Sequence, residues 1–346
     1  MTPDPSSREP RSPRLPGRPG VPGGSPNGTE RALRGIPRPV RRVFGGTAIL
    51  AAGLVAVAAT AERTPEPPAP TPGISVPDVS HLLGETRLPI EVNARVERWI
   101  GRFLGPDRET FEHYLVREGL YGGMVRQKLR ARDMPEQLLY LAMIESGFSS
   151  SATSPVAAAG LWQFLGATAR AYGLSVDGWV DERRDPVRAT DAALDYLEEL
   201  HAEFGSWYLA AAAYNAGPVR VASALSRAGG IAEEGDAEAM YWKIIGDLPQ
   251  ETREFVPKIL AAAILAEQAE HFGFDVEPDL PYLFDQVLVP GGTSLRRVAE
   301  ALDASPSLLR ELNPHLIRGA TPPGRSFPIR IPLGESHRVL AALPRT

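Results

Sequence analysis

The chain has 346 residues, enough for two folded domains, and its 43% hydrophobic and 23% charged content is ordinary for a globular protein. It has no cysteine, which excludes disulfides, thiolate metal sites and thiol nucleophiles and suits an exported protein. Residues 1–42 hold nine arginines and three acidic residues, so the remainder carries a formal net charge of −11. This acidic body argues against nucleic acid as a ligand, because such binding depends on neutralising phosphates.

Three segments precede the first predicted helices. Residues 1–37 are rich in Pro, Gly, Ser and Arg without apolar periodicity, which predicts either disorder or an over-extended gene start. Residues 38–61 join three arginines to the uncharged run VFGGTAILAAGLVAVAAT and an Ala-x-Ala ending, as in a signal peptide; an uncleaved membrane anchor is the alternative. Residues 62–88 form a Pro-rich linker. We therefore expect a protein exported to the periplasm or cell envelope, with membrane contact only through this N-terminal part.

From residue 89 the pattern becomes helical. Apolar residues in VNARVERWIGRFLG recur at helical spacing, which predicts an N-terminal helical extension over 89–126. Helical patterns without strand alternation continue over 127–275, so this domain is predicted to be mainly α. Residues 284–334 read as strand, two short helices and strand, with Ser294 and Ser305 as caps and Pro306 in a first helical turn.

A carboxylate closes the most apolar predicted helix. The run from Leu138 to Ile144 ends on Glu145, and Gly147 can stop the helix. Asp133, Pro135 and Glu136 predict its start as a capping box. Burial and the negative end of the helix dipole would raise the pKa of Glu145, as a general acid for glycoside cleavage requires. The alternative is a surface glutamate that simply reaches water.

Three motifs follow in order: ESGF at 145–148, AGLWQF at 159–164 and AYNAG at 213–217. Together they resemble the signature of the lytic transglycosylase (SLT) domain, and RRDP, ALDYL and ETREFVPK resemble the membrane-bound lytic murein transglycosylase D type. The resemblance implies a lysozyme-like α-helical fold over 127–275. It also implies cleavage of the MurNAc–GlcNAc β-1,4 bond of peptidoglycan, without water or cofactor, to leave 1,6-anhydro ends.

The resemblance also implies a role for each matching residue. Glu145 would be the sole catalytic residue, first as acid and then as base. Substrate-binding residues would be Ser146, Gly160, Gln163, Tyr214 and Asn215. Trp162 is expected in the core rather than on a sugar. A second carboxylate is absent from the three motifs. The acids at 177, 181, 182 and 185 are candidates for one, but DERRDP at 181–186 is expected to form a salt-bridged loop before a helix.

Two departures from the family pattern bear on activity. Ala157, just before the second motif, stands where relatives more often have a polar residue or Gly, and Phe255 stands where the family usually has a Tyr close to the acid. Residues 284–334 are similar to a divergent LysM repeat, which implies binding to GlcNAc-containing chains; a packing domain that binds nothing is the alternative. The expected partner is thus the glycan strand. The six histidines lack ligand spacing, so we infer no metal. A hydrolytic muramidase and a non-catalytic peptidoglycan-binding or scaffold protein are the rival functions.

Overall fold

Helices dominate the computed structural model, which describes residues 88–230 and 237–343, all within one compact unit. In these ranges the helices before the C-terminal module are α1 (Ala94–Leu104), α2 (Arg108–Arg130), α3 (Leu139–Ser146), α4 (Gly166–Ala171), α5 (Pro186–Phe204), α6 (Trp207–Ala216), α7 (Pro218–Arg227), α8 (Ala237–Ile244) and α9 (Gln250–Glu267). The predicted mainly α fold class is confirmed. The predicted disordered segment at 1–37, the signal or anchor at 38–61 and nearly all of the linker at 62–88 lie outside the described residues.

Helix α3 lies at the centre of the helical part, packed against α2 and α9. Its residues from Leu139 to Met143 are at most 1% exposed. A helix that is apolar on every side must be enclosed by others, and its hydrophobic sequence accounts for this position. The element that carries Glu145 is therefore held by packing on several sides.

The outer helices begin and end as their sequences predict. The Asn93 side chain accepts hydrogen bonds from the amides of Arg95 and Val96 and so caps α1. Asp185 caps α5 in the same way and is followed by Pro186, which has no amide proton to satisfy. Gly205 then ends α5 in the left-handed conformation, with φ 66°.

The predicted start of the apolar helix is wrong. Asp133 has φ 53° and belongs to the turn that follows α2, where the Met134 amide donates to the carbonyl of Leu129 at 3.0 Å. Residues Glu136–Leu138 form a 3₁₀ turn that leads into α3, and Glu136 pairs with Arg130 at 3.0 Å. The buried side chain of Met134 decides the path of the chain here, and a capping box is not formed.

The C-terminal module consists of β1 (Asp285–Val289), α10 (Leu295–Leu302), α11 (Pro306–Leu312), β2 (Phe327–Ile331) and α12 (Ser336–Ala342). The strands are antiparallel, with Asp285 opposite Ile331. This confirms the predicted β-α-α-β order, to which α12 is an unpredicted addition. Ser305 caps α11 through its side chain, whereas Ser294 occupies the cap position of α10 without a side-chain hydrogen bond.

A lipid bilayer has a hydrocarbon core about 30 Å thick, which a helix needs about 20 apolar residues to cross. Over 88–230 and 237–343, each helix is too short or too polar to cross one.

Candidate active site

Glu145 occupies the last turn of α3, directly before the point where the chain must turn away. Gly147 ends the helix with φ 58°. A Cβ atom at this position would lie 2.3 Å from the ring of Tyr114, so the left-handed turn and the close ring both require glycine. Local sequence thus fixes the acid at the C-terminal end of a buried helix, as predicted.

The carboxyl group of Glu145 is nearly excluded from water. The residue is 6% exposed, and burial raises its pKa to about 8, with a further contribution from the negative charge of Glu251. Lys258 opposes this rise. A carboxyl group with such a pKa is protonated at neutral pH and can donate its proton.

Glu145 lines a cavity of about 260 Å³. One wall comes from α2 through Tyr114 and Arg117, and the opposite wall comes from the loop that includes Thr153, Ser154 and Gln163. We call residues 149–165 the cleft loop. The cavity gives the buried acid access to a ligand.

The AGLWQF motif forms a tight turn at the end of the cleft loop. The Ala159 amide donates to the carbonyl of Phe164 at 3.1 Å, and the Gln163 side chain donates to the carbonyl of Gly160 at 2.8 Å. Gly160 has φ 80°, and a Cβ atom there would lie 1.8 Å from the carbonyl oxygen of Arg183. Gly160 therefore permits a close approach of two main-chain segments, while Gln163 reaches the cavity wall.

Ser146 connects the acid's helix to this turn. Its hydroxyl donates to the carbonyl of Leu161 at 2.8 Å, and the same oxygen accepts a bond from the Ser149 amide at 3.2 Å. Ser146 also lines the cavity. The second residue of the ESGF motif thus fixes the distance between the first and second motifs.

The third motif reaches the site from α6. The Tyr214 hydroxyl donates to the carbonyl of Trp162 at 2.8 Å. Burial, followed by the charge of Glu145, raises the pKa of Tyr214 well above its ordinary value. Asn215 is buried and accepts a hydrogen bond from the Thr252 hydroxyl at 2.8 Å. The structure brings Glu145, Ser146 and Gln163 to the cavity itself, with Tyr214 behind the turn and Asn215 toward α9.

Two predictions about neighbouring side chains are confirmed. Trp162 is fully buried and donates from its indole nitrogen to the Thr190 hydroxyl at 2.9 Å, so it is a core residue. The acids around residue 181 form a salt-bridged loop, in which Asp181 pairs with Arg183 at 2.8 Å. Asp185 belongs to the same loop and pairs with Arg330 at 2.7 Å.

Glu251 is a second carboxylate near the acid, and it lies outside the three motifs. Burial raises the pKa of Glu251, and the hydrogen bond that its carboxylate accepts from Asn215 opposes this rise. Glu251, Phe255 and Lys258 follow one another at helical spacing on α9, and Phe255 is buried between the two charged residues. The ETREFVPK segment resembles the family in sequence, but which of its residues face Glu145 depends on how α9 packs on α3.

Among residues 88–230 and 237–343, His, Asp and Glu side chains do not gather into a group of three that could hold a metal ion.

Comparison with known proteins finds a match for each of the two parts of the chain. Residues 124–235 match the Transglycosylase SLT domain, and residues 283–346 match the LysM-like domain of lytic transglycosylase MltD. The chain is 30% identical to membrane-bound lytic murein transglycosylase D of Escherichia coli K12 over 255 residues, which are 73% of this chain and 54% of that protein. It is 33% identical to peptidoglycan transglycosylase gp16 of Escherichia phage T7 over 158 residues, or 44% of this chain and 11% of that protein.

The chain thus spans about half the length of the transglycosylase D relative. Among solved structures, the 70 kDa soluble lytic transglycosylase of Escherichia coli aligns over 52% of this chain and 32% of its own, with 21% identity and a TM-score of 0.38.

Proposed function

We propose that this chain, which carries a transglycosylase SLT domain followed by the LysM-like domain of lytic transglycosylase MltD, is a peptidoglycan lytic transglycosylase. It cleaves the β-1,4 bond between MurNAc and GlcNAc and leaves 1,6-anhydro-MurNAc ends. The observation that carries this proposal is the buried Glu145, with a pKa raised to about 8 by burial, at the wall of a cavity that residues of the first and second motifs line. Tyr214 of the third motif supports the second from behind through its hydrogen bond to the carbonyl of Trp162.

The proposed reaction uses one protein group twice. Glu145 donates its proton to the glycosidic oxygen, which leaves with the GlcNAc residue as a hydroxyl. The N-acetyl group of MurNAc stabilises the positive charge at the anomeric carbon. The resulting Glu145 carboxylate then accepts the proton of the MurNAc 6-hydroxyl. At the same time the oxygen of that 6-hydroxyl bonds to the anomeric carbon of the same sugar. Water is not consumed, and Glu145 ends protonated, ready for the next cycle.

The other motif residues are proposed to shape the glycan-binding groove. Gln163 has its amide at the cavity wall, where it can hydrogen bond to sugar hydroxyls. Ser146 and Tyr214 donate their hydroxyl protons to the main chain of the AGLWQF turn, which supports a role in holding that turn against the sugar. Asn215 lies beside Glu251, and Gly160 keeps the turn close to residue 183.

The surroundings of the enzyme follow from its substrate. A glycan-cleaving enzyme of this class acts in the cell envelope, and the arginines and apolar run at 38–61 support export there, with either a cleaved signal or a retained anchor. The LysM-like domain is proposed to bind GlcNAc-containing strands in addition to its structural contacts.

Glu145→Gln tests the proposal, with Glu109→Gln as a matched control because Glu109 is exposed on α2. We expect Glu145→Gln to release no soluble muropeptides from purified peptidoglycan while keeping its fold and its binding to sacculi. Glu109→Gln should act like the wild type. Full turnover by Glu145→Gln would contradict the proposal, and sacculus binding by the wild type without released products would favour the non-catalytic alternative.

The proximity of Glu251 favours one second candidate, a hydrolytic muramidase, because ordinary glycosidases use two carboxylates. Mass spectrometry of wild-type products separates the two reactions. Anhydro ends weigh 18 Da less than hydrolysed ends, since hydrolysis adds about one water mass (~18 Da) to each new end. Products that carry the water mass would replace the proposed function with the second.

A further inference from the structure

A segment of the SLT domain packs in the core of the C-terminal module and hydrogen bonds to its main chain. The Val180 side chain packs in the hydrophobic core of that module, and Val180 forms an antiparallel bridge with Leu316. The Asp181 amide donates to the carbonyl of His315 at 2.9 Å, and the Ile317 amide donates to the carbonyl of Trp179 at 3.2 Å. We call residues 177–185 the shared segment, because it belongs to the SLT match but completes the module.

A buried ion pair fixes the end of the shared segment. The Arg330 guanidinium on β2 donates to both carboxylate oxygens of Asp185 at 2.7 Å, and to the Tyr282 hydroxyl at 3.2 Å. Asp185 is 3% exposed and Arg330 is 5% exposed. Separating Asp185 from Arg330 would leave an uncompensated charge in the interior, which is costly. The pair therefore holds the shared segment and the C-terminal module in one arrangement.

The opposite side of the shared segment holds the cleft loop. Arg183 donates to the carbonyls of Ala157 at 2.8 Å and Phe164 at 3.1 Å. Arg184 donates to the carbonyl of Ser151 at 2.7 Å and to the Thr153 hydroxyl at 2.7 Å. These bonds reach both ends of the loop that faces the acid.

We propose that Arg330 is a positioning residue of the catalytic site: through Asp185 and the shared segment, the C-terminal module holds the cleft loop against Glu145. The inference rests on the proposed function for its effect on turnover. It assigns the module a mechanical role whether or not that module also binds glycan. Misplacement by about 1 Å at a catalytic site can reduce the rate about a hundredfold, so contacts far from the acid suffice to control it.

The variants are made in the full chain. Arg330→Met removes the charge that pairs with Asp185, and Arg330→Lys keeps a positive charge with fewer donors. The double variant Asp185→Asn/Arg330→Met removes both charges of the pair, so neither is left unpaired in the interior. If the single variant Arg330→Met fails to fold, the double variant still tests whether this contact holds the cleft loop. The control is Arg297→Met, which changes an exposed arginine on α10 of the same module.

The first readout is hydrogen exchange of main-chain amides, which does not depend on activity. In Arg330→Met and in the double variant, we expect peptides covering 149–165 to exchange at least about tenfold faster than in the wild type, whereas peptides from α9 stay protected. Arg330→Lys should lie between, and Arg297→Met should match the wild type. Unchanged exchange of the cleft loop in a folded double variant would overturn the inference.

The second readout is the pH profile of kcat/KM, which a loss of stability alone would not move. A loosened cleft loop admits water to Glu145, so its pKa falls and the loss of activity at high pH begins at lower pH. We expect a shift of about one pH unit and at least a tenfold loss of kcat with a smaller change in KM. These variants leave unchanged the charged and titratable groups that face Glu145, namely Tyr114 and Arg117 of α2, Tyr214 of α6, and Glu251 and Lys258 of α9.

The two proposals fail in different ways. A wild-type protein that releases no anhydro products would refute the proposed function, yet the exchange experiment would still decide whether the module holds the loop. Normal wild-type activity with an unchanged pH profile and unchanged exchange in the folded variants would refute the positioning role alone.

Discussion

Replacement of Glu145 by Gln is expected to stabilise the protein while abolishing its activity. The folded protein holds Glu145 with a pKa of about 8 because of burial, compared with 4.5 for the unfolded chain. Between these values the native state binds more protons than the unfolded state, so wild-type stability falls as pH rises through this window. Each pKa unit corresponds to about 1.36 kcal/mol, so the wild type should lose about 3 kcal/mol between about pH 5 and pH 8 that Glu145→Gln does not lose.

Urea unfolding of the wild type and Glu145→Gln at several pH values measures this difference directly. All other titrating groups are shared by the two proteins, so the difference in unfolding free energy reports Glu145 together with its coupling to Glu251 and Lys258. A difference that stays constant between about pH 5 and pH 8 would show that the carboxyl group is hydrated in the folded protein. The argument for a buried general acid would then be lost, whatever the activity of the variant.

Three further substitutions, one of them with a matched control, test other parts of the site. Glu251→Gln removes a negative charge near Glu145 and so lowers the pKa of Glu145, which should move the high-pH limb of kcat/KM to lower pH. A limb that stays at the same pH or moves to higher pH would contradict this assignment. Gly160→Ala should destabilise the protein by more than about 2 kcal/mol in urea unfolding, because its Cβ meets a carbonyl at 1.8 Å. Gly173→Ala shares a positive φ of 79° but has open space, so it should cost only about 1 kcal/mol; equal losses would remove the argument from close approach. Tyr214→Phe should cost about 1 kcal/mol of stability through its lost hydrogen bond, and no loss would show that the hydroxyl does not hold the turn.

The error at the start of α3 shows where local patterns mislead. Asp133, Pro135 and Glu136 have the spacing of a capping box, but the chain leaving α2 makes a left-handed turn at Asp133 and buries Met134. The 3₁₀ turn at 136–138 follows from that path. Tertiary burial of one side chain outweighed a capping preference worth about 1 kcal/mol.

The assignment of Glu251 shows a different limit. Its segment ETREFVPK was visible in the sequence, and helical spacing places Glu251, Phe255 and Lys258 on one face of α9. Helical spacing shows which residues share one face of a helix, but it does not show which other helix packs against that face. Only the packing of α9 on α3 shows that the face lies beside Glu145 and tunes its pKa.

The sequence by itself determined the features that depend on neighbours along the chain. These include the apolar helix that ends in Glu145, the glycine that stops it, and the strand-helix-helix-strand order of the C-terminal module, because helical and strand periods and caps are local properties. The tertiary structure alone decided which distant residues meet. Asp185 and Arg330 are 145 residues apart and form a buried pair whose energy depends on exclusion from water, a property that arises only when two packed surfaces close around it.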